Sequence, residues 1–108
     1  MYDKCMSKAV DLTRFEALAG ACKALSHPAR LTILVVLADR GTCICGELVE
    51  VLPLSQATVS QHLKVLKEAG LIRGTIDGPR SCYCIDGDAM RLLRGQLEQV
   101  FRSLEHCC

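Results

Sequence analysis

The sequence contains no tryptophan, and only 4% of its residues are aromatic. A hydrophobic core must therefore be aliphatic, and a binding surface must work with few aromatic anchors. Long apolar runs are also missing, since the longest, residues 33–38, falls far short of the roughly 18 residues of a membrane span. The first fourteen residues are interspersed with charges, so no signal peptide is expected. These absences predict a cytoplasmic protein with no membrane partner.

An excess of one charge is absent as well, because 13 Lys and Arg residues nearly balance 12 Asp and Glu residues. Any nucleic-acid binding must therefore depend on locally placed cations. There is no nucleophile motif with a base partner and no Gly-rich phosphate loop, so neither an enzyme nor an organic cofactor is expected. The 108 residues, half of them hydrophobic, predict one domain over residues 1–108.

Cysteine, by contrast, is abundant, with eight residues in the chain. In the cytoplasm these are expected to be reduced thiols and not a disulfide framework. Such a count in a small cytoplasmic protein indicates a soft-metal site or a redox role. Cys22, on an apolar helix face, is interpreted as an inert buried thiol.

The most informative stretch is residues 54–72, LSQATVSQHLKVLKEAGLI. Ser55 is a favourable N-cap and Gly70 a favourable stop, which predicts a helix between them. At about 100° per residue, three apolar side chains form one stripe that can pack inward: Val59, Leu63 and Leu66. The other side is polar and basic, which suits a DNA major groove because amides and hydroxyls bond base edges while lysine meets phosphate. A solvated surface helix is the alternative.

Two helices are predicted before this stretch. The first has an apolar face made of Leu12, Phe15, Ala19, Cys22 and Leu25. The second, over residues 26–41, starts with a cap at Ser26 or His27 and is expected to be fully buried. Residues 42–54 then begin extended and turn helical, which completes a helix-turn-helix pattern.

A hairpin and a last helix follow. Asp77-Gly78 predicts the hairpin turn, and Arg73 and Arg80 make it a basic wing, although an ordinary surface hairpin fits too. The last helix runs from Asp86–Asp88 towards His106. Its apolar stripe could pack internally or against a second copy, and it comprises Leu93, Leu97, Val100 and Leu104, with Leu92 and Phe101 beside them. The fold class is therefore mainly α with a small β-hairpin.

This order of helices, the SQATVSQHLKVLKEAGLI segment and the wing IRGTIDGPRSCYCI resemble the ArsR/SmtB family of winged helix-turn-helix, metal-responsive bacterial repressors. The resemblance implies a homodimer through the first and last helices that binds double-stranded operator DNA and releases it when an inducer binds. By match to the family's recognition helix, the residues facing DNA would be Gln56, Ala57, Ser60, Gln61 and Lys64. Arg80 on the wing would reach phosphate or the minor groove.

Cys43-Ile44-Cys45 resembles the CxC of the family's arsenic, antimony, cadmium and lead sensors. Thiolates favour soft ions, which implies As(III) or Sb(III) as inducer, with Cd(II) or Pb(II) also possible. Strand residues two apart are separated by roughly 6.6 Å, yet sulfurs bound to one ion at about 2.3 Å must lie within about 4.6 Å of each other. Ligation would therefore distort this segment and misalign the recognition helix.

The third ligand departs from the best-known arsenic pattern, which has another Cys where this chain has Leu48. By resemblance to the cadmium and lead sensors, Cys5 is the leading candidate. Cys107 and Cys108 are the alternative, because other members place arsenic sites on the last helix. A zinc site on that helix is disfavoured, since Met90 and Arg91 stand near the place of the first His.

Cys82 and Cys84 alternate with Tyr83, so both sulfurs share one face of a strand. They could join a thiol site or a disulfide, and packing within the strand is the simpler interpretation. A thiol redox or polysulfide sensor on the same fold is the alternative function. His27 is interpreted as a structural residue, and His62 as a packed side chain and not as a metal ligand.

Overall fold

A computed structural model describes residues 10–40, 44–45, 48–75 and 82–106. Its elements in chain order are α1 (Glu16–Leu25), α2 (Pro28–Arg40), β1 (Ile44–Cys45), α3 (Leu48–Val51), α4 (Gln56–Glu68), β2 (Ile72–Thr75), β3 (Cys82–Ile85) and α5 (Gly87–Glu105). This is the predicted winged helix-turn-helix: α3 and α4 form the helix-turn-helix, and β2 and β3 form the wing.

Local signals explain where the helices begin and end. The N–H of Ala29 donates to Nδ1 of His27 at 3.0 Å, so His27 caps α2 while Pro28 occupies its first position. Ser55 caps α4 by accepting the N–H of Thr58 at 3.2 Å. Gly70, with φ of 79°, takes the left-handed conformation that ends the helix.

One aliphatic core lies between the helices and the sheet, and Tyr83 is the only aromatic side chain buried in it among the described residues. Val59, Leu63 and Leu66 of α4 are each at most 2% exposed, as their stripe predicted. The remaining buried hydrophobic residues are Ala24, Ile33, Leu34, Leu37, Leu48, Leu52, Leu71, Ile72 and Leu93.

Within the described residues the sheet has three strands in the order β1-β3-β2, and both pairings are antiparallel. Across the first pairing, Ile44 lies opposite Tyr83 and Cys45 opposite Cys82. Across the second, Gly74 lies opposite Tyr83. The sequence predicted the two strands of the wing, and the structure adds β1 to their edge. The turn at Asp77-Gly78 lies outside the described residues.

Two predictions about the first two helices need correction. The first helix begins at Glu16, so Leu12 lies ahead of it and is 87% exposed. The second helix is not fully buried, since Val35 is 63% exposed while Ile33 and Leu34 are buried. The stripe of α5, for which the sequence left open packing within the chain or against a second copy, is buried in this chain at Leu93 only. A single chain offers these helices core neighbours on one side only, so their remaining apolar side chains stay exposed.

Among the described residues, no single helix is both long enough and apolar enough to cross a membrane. The consecutive helices α1 and α2 reach such a length and hydropathy only when counted together, and they meet at 87°.

Candidate nucleic-acid interface

The outward side of α4 is polar. Four of the five predicted DNA-facing side chains are exposed on this side: Gln56, Ala57, Gln61 and Lys64. The fifth, Ser60, is half-buried. We call these five residues the polar face. It combines an amide and hydroxyl surface with one cation, which matches the donors and acceptors that read base edges and phosphates in a major groove.

The helix-turn-helix holds the polar face outward by packing behind it. Leu48 and Leu52 of the preceding helix and turn are buried, and the N–H of Leu52 donates to the carbonyl of Leu48 at 3.0 Å. The chain then passes Pro53, which cannot continue a helix, and re-enters helical structure after the Ser55 cap. α3 contacts α4 directly, so the two helices support each other.

A second support for α4 comes from α2 and was not predicted from the sequence. Nε of Arg30 donates to the carbonyl of Ala24 at 2.6 Å, and Nη1 of Arg30 lies 3.3 Å from Nδ1 of His62. A guanidinium can only donate, so Nδ1 of His62 accepts and a neutral ring carries its proton on Nε2. The rings of His27 and His62 lie 4.4 Å apart between centroids. His62 is half-buried, as expected of a packed histidine, whereas His27 is exposed and has a structural role as the cap of α2.

The pKa of His62 lies below its ordinary value. Burial is the largest cause, and repulsion from the neighbouring His27 and Arg30 adds to it. The neutral ring that accepts from Arg30 is therefore the form that the fold favours.

The wing is fixed to the end of α4. Nζ of Lys67 donates to the carbonyl of Gly74 in β2. Gly74 has φ of 130°, and a Cβ placed there would lie 2.0 Å from the carbonyl oxygen of Cys82. The two wing strands therefore approach more closely at Gly74 than a side chain would allow. Arg73 is exposed on the wing, whereas the predicted contact residue Arg80 lies outside the described residues.

Most of the predicted metal ligands lie outside the residues that the structure describes. Cys5, Cys43, Cys107 and Cys108 lie outside the described residues, and Cys45 is described only through its backbone in β1. In the part of the chain that is described, no three His, Cys, Asp or Glu side chains come together as a metal site.

Three other cysteines are described. Cys22 is a half-buried thiol on α1, and Cys82 is disulfide-bonded. The expectation of reduced thiols is therefore wrong for Cys82. The predicted alternation along β3 is confirmed, because Tyr83 is buried while Cys82 and Cys84 are half-buried. A disulfide at this strand was one of the alternatives that the sequence left open.

Together, the helix-turn-helix, the exposed polar face and the adjoining wing define a winged helix-turn-helix DNA-binding protein. A family model described as "Bacterial regulatory protein, arsR family" matches residues 27–73. The HTH-type transcriptional regulator YgaV of Escherichia coli K12 is 36% identical over 86 residues, which cover 80% of this chain and 87% of that protein. The chain therefore belongs to the ArsR family of bacterial regulatory proteins.

Other relatives agree with this assignment. The regulator CmtR of Mycobacterium tuberculosis H37Rv is 36% identical, with 85% of this chain and 77% of that protein covered. The arsenical resistance operon repressor of Bacillus subtilis 168 is 37% identical, with 80% of this chain and 85% of that protein covered. An ArsR-like regulator from Rhodococcus sp. RHA1 shares the fold, with a TM-score of 0.70 at 23% identity over 87% of this chain and 88% of that one. The predicted class, a DNA-binding transcriptional regulator and not an enzyme, is confirmed.

Proposed function

We propose that this chain is a cytoplasmic, metal(loid)-responsive repressor that binds operator DNA as a homodimer. Its inducer is As(III) or Sb(III), with Cd(II) or Pb(II) as alternatives, held by the thiolates of Cys43, Cys45 and Cys5. The observation that carries the proposal is the exposed polar face on α4, in a helix-turn-helix that follows directly on the CxC segment.

The DNA-binding part follows from the chemistry of the polar face. Gln56 and Gln61 offer amides that pair bidentately with adenine, and Lys64 offers a cation for phosphate or guanine. Ala57 would make an apolar contact, such as one with a thymine methyl. Arg80 on the wing would add a contact to phosphate or the minor groove.

The homodimer is supported by the apolar surface that a single chain leaves exposed. Phe15 just ahead of α1 and three α5 side chains, Leu92, Phe101 and Leu104, are all more than 45% exposed. α1 and α5 contact each other, so these residues belong to adjacent helices. Covering such a surface with a second copy would remove it from water and present two recognition helices to half-sites about one helical turn apart.

The inducer part follows from the position of β1. Cys45 lies in β1, whose backbone is paired with β3, so drawing its sulfur towards an ion shared with other thiolates would pull on this pairing. β1 leads into α3, which contacts α4. Ligation at the CxC would therefore shift α3 and draw the polar face out of the groove. The relative from Bacillus subtilis, whose name refers to arsenical resistance, supports arsenic.

The test is inducer release measured across a panel of Cys→Ser variants. Fluorescence anisotropy on the chain's own promoter fragment, at fixed salt and with reductant, gives the operator Kd with and without arsenite. Arsenite should weaken binding by roughly tenfold or more in the wild type and in Cys22→Ser, which is the matched control. Cys43→Ser, Cys45→Ser and Cys5→Ser should bind DNA but not respond.

Two results would contradict the proposal. Release of the Cys43→Ser and Cys45→Ser variants from DNA by arsenite would exclude the CxC site. Failure of the reduced wild type to shift its promoter fragment at low salt would exclude the repressor itself.

The same panel identifies the third ligand. If Cys5→Ser responds to arsenite while Cys107→Ser or Cys108→Ser does not, the third ligand lies on the C-terminal pair.

A further inference from the structure

The register of the sheet places two cysteines of different motifs opposite each other. Cys45, the second cysteine of the CxC, is the direct cross-strand partner of Cys82 in the central strand. Directly opposed residues in antiparallel strands have Cα atoms about 4.5 or 5.5 Å apart, and disulfides span Cα separations of about 4.4–6.8 Å. The register therefore meets the geometric requirement of a disulfide. Cys82 is in fact disulfide-bonded.

The position of Cys82 in this register is well determined. Tyr83, the next residue, is buried in the core, so a slip of β3 by one residue would turn the phenol ring out of the core. Gly74 approaches the backbone of Cys82 and Tyr83 too closely for any other residue to replace it without displacement. Cys82 itself is half-buried, which leaves it accessible to a small oxidant.

We propose that Cys45 and Cys82 form a reversible cross-strand disulfide, and that this bond makes the repressor insensitive to its inducer. The oxidant is a hydroperoxide. One thiolate attacks its O–O bond to give a sulfenic acid and release an alcohol or water. The second thiolate then attacks that sulfur, the S–O bond breaks, and water leaves as the S–S bond forms. Two thiols lose two electrons, and the peroxide is reduced.

The consequence for regulation rests on the proposed function, in which Cys45 is an inducer ligand. A thiol in a disulfide cannot bind a soft ion, because the metal ligand is the thiolate. The bond also holds β1 against β3 in the resting register that this structure shows. Since β3 is joined to β2, and β2 to α4 through the bond from Lys67 to Gly74, the oxidised protein should keep its DNA-binding shape.

Peptide mapping tests the bond independently of DNA binding. The full-length protein is treated with one equivalent of hydrogen peroxide, alkylated, digested with trypsin without reductant, and analysed by tandem mass spectrometry. The expected product links residues 41–64, through Cys45, to residues 81–91, through Cys82. Absence of this product, or a linkage through Cys43 or Cys84 in its place, would overturn the assignment.

Anisotropy then tests the regulatory effect. The oxidised wild type should bind operator with a Kd within about threefold of that of the reduced protein, and arsenite should not weaken this binding. Reductant should restore the release by arsenite. Cys82→Ser should respond to arsenite both before and after peroxide, whereas Cys22→Ser should behave as the wild type. Equal loss of response in oxidised Cys82→Ser would refute the role of this pair. Failure of the reduced wild type to respond would instead refute the proposed inducer and leave the mapping result intact.

Discussion

Arg30 and His62 join α2 to the recognition helix through a contact of 3.3 Å between Nη1 and Nδ1. The same guanidinium reaches the last turn of α1 through the carbonyl of Ala24. Three helices therefore meet at one side chain, on the inner side of α4 and away from the polar face.

Replacing Arg30 by Ala should lower the free energy of unfolding by about 1–3 kcal/mol, because the guanidinium loses its hydrogen bonds to Ala24, His62 and Lys23. Arg30→Lys should retain only part of this stability, since an ammonium group cannot reproduce the forked set of donors of the guanidinium. Urea denaturation measures both, with the exposed Arg94→Ala on α5 as control. Equal stability of Arg30→Ala and Arg94→Ala would show that the contact contributes little.

The lowered pKa of His62 predicts a pH-dependent stability. Between the folded pKa and the ordinary value of 6.5, the unfolded chain binds more protons than the folded one. The contribution of His62 is therefore complete above pH 6.5 and decreases as the pH falls towards the folded pKa. Thermal melts from pH 7.5 downward should show a shallower loss for His62→Gln than for the wild type. Parallel curves for the two proteins would contradict this account.

The cap at Ser55 should stabilise the recognition helix. Ser55→Ala removes the acceptor for the N–H of Thr58 and should cost about 1 kcal/mol of stability, while Ser55→Asp, another good cap, should retain most of it. Ser103→Ala is the control, because that hydroxyl donates to the carbonyl of Gln99 within an exposed helix and caps nothing. If Ser55→Asp is as unstable as Ser55→Ala, capping is not the reason.

The polar face predicts two different kinds of loss in operator binding. Gln61→Ala should weaken specific binding by about 1–3 kcal/mol and relax base preference at one position. Lys64→Ala should weaken binding to all sequences and reduce the salt slope by about one. Lys23→Ala, which removes the same charge from α1, should change neither. Operator binding by Gln61→Ala and Lys64→Ala equal to the wild type would exclude this face as the interface.

Replacing glycine by alanine should have opposite effects on stability at two positions. Gly74→Ala meets a positive φ and the backbone of Cys82, so it should destabilise the protein by more than about 1 kcal/mol. Gly95→Ala, in the middle of α5 with nothing within 4 Å of a new Cβ, should be neutral or stabilise by up to about 1 kcal/mol. Thermal unfolding of the two variants side by side gives the comparison. Equal effects would mean that the wing tolerates a wider strand separation.

The recognition helix could be predicted from the sequence because its signals are local. Each signal lies within a few helical turns of the residues it concerns: the cap at Ser55, the stop at Gly70 and the stripe through Leu63. The structure confirms all three. The pairing of Cys45 with Cys82 could not be predicted, since a strand of two residues has no periodicity and its partner lies far along the chain. Arg30 was missed for a similar reason, because one cation on a helix does not reveal its partner on another.

Burial was predicted less well than helix position. Apolar periodicity identifies a face that prefers to leave water, but it does not say whether the covering surface belongs to the same chain. Leu92 and Phe101 show the difference, since both lie beside the stripe of α5 and both remain exposed in a single chain.

The edge pairing of β1 with β3 has a kinetic consequence. It closes a loop that contains α3, α4 and β2, so most of the DNA-reading unit lies between two strands that are distant in sequence. Contacts of high sequence separation form after local turns, because the loop entropy must be lost first. The helices should therefore acquire amide protection from hydrogen exchange earlier in refolding than Ile44 and Cys45. In the native state these two amides should be among the first to open.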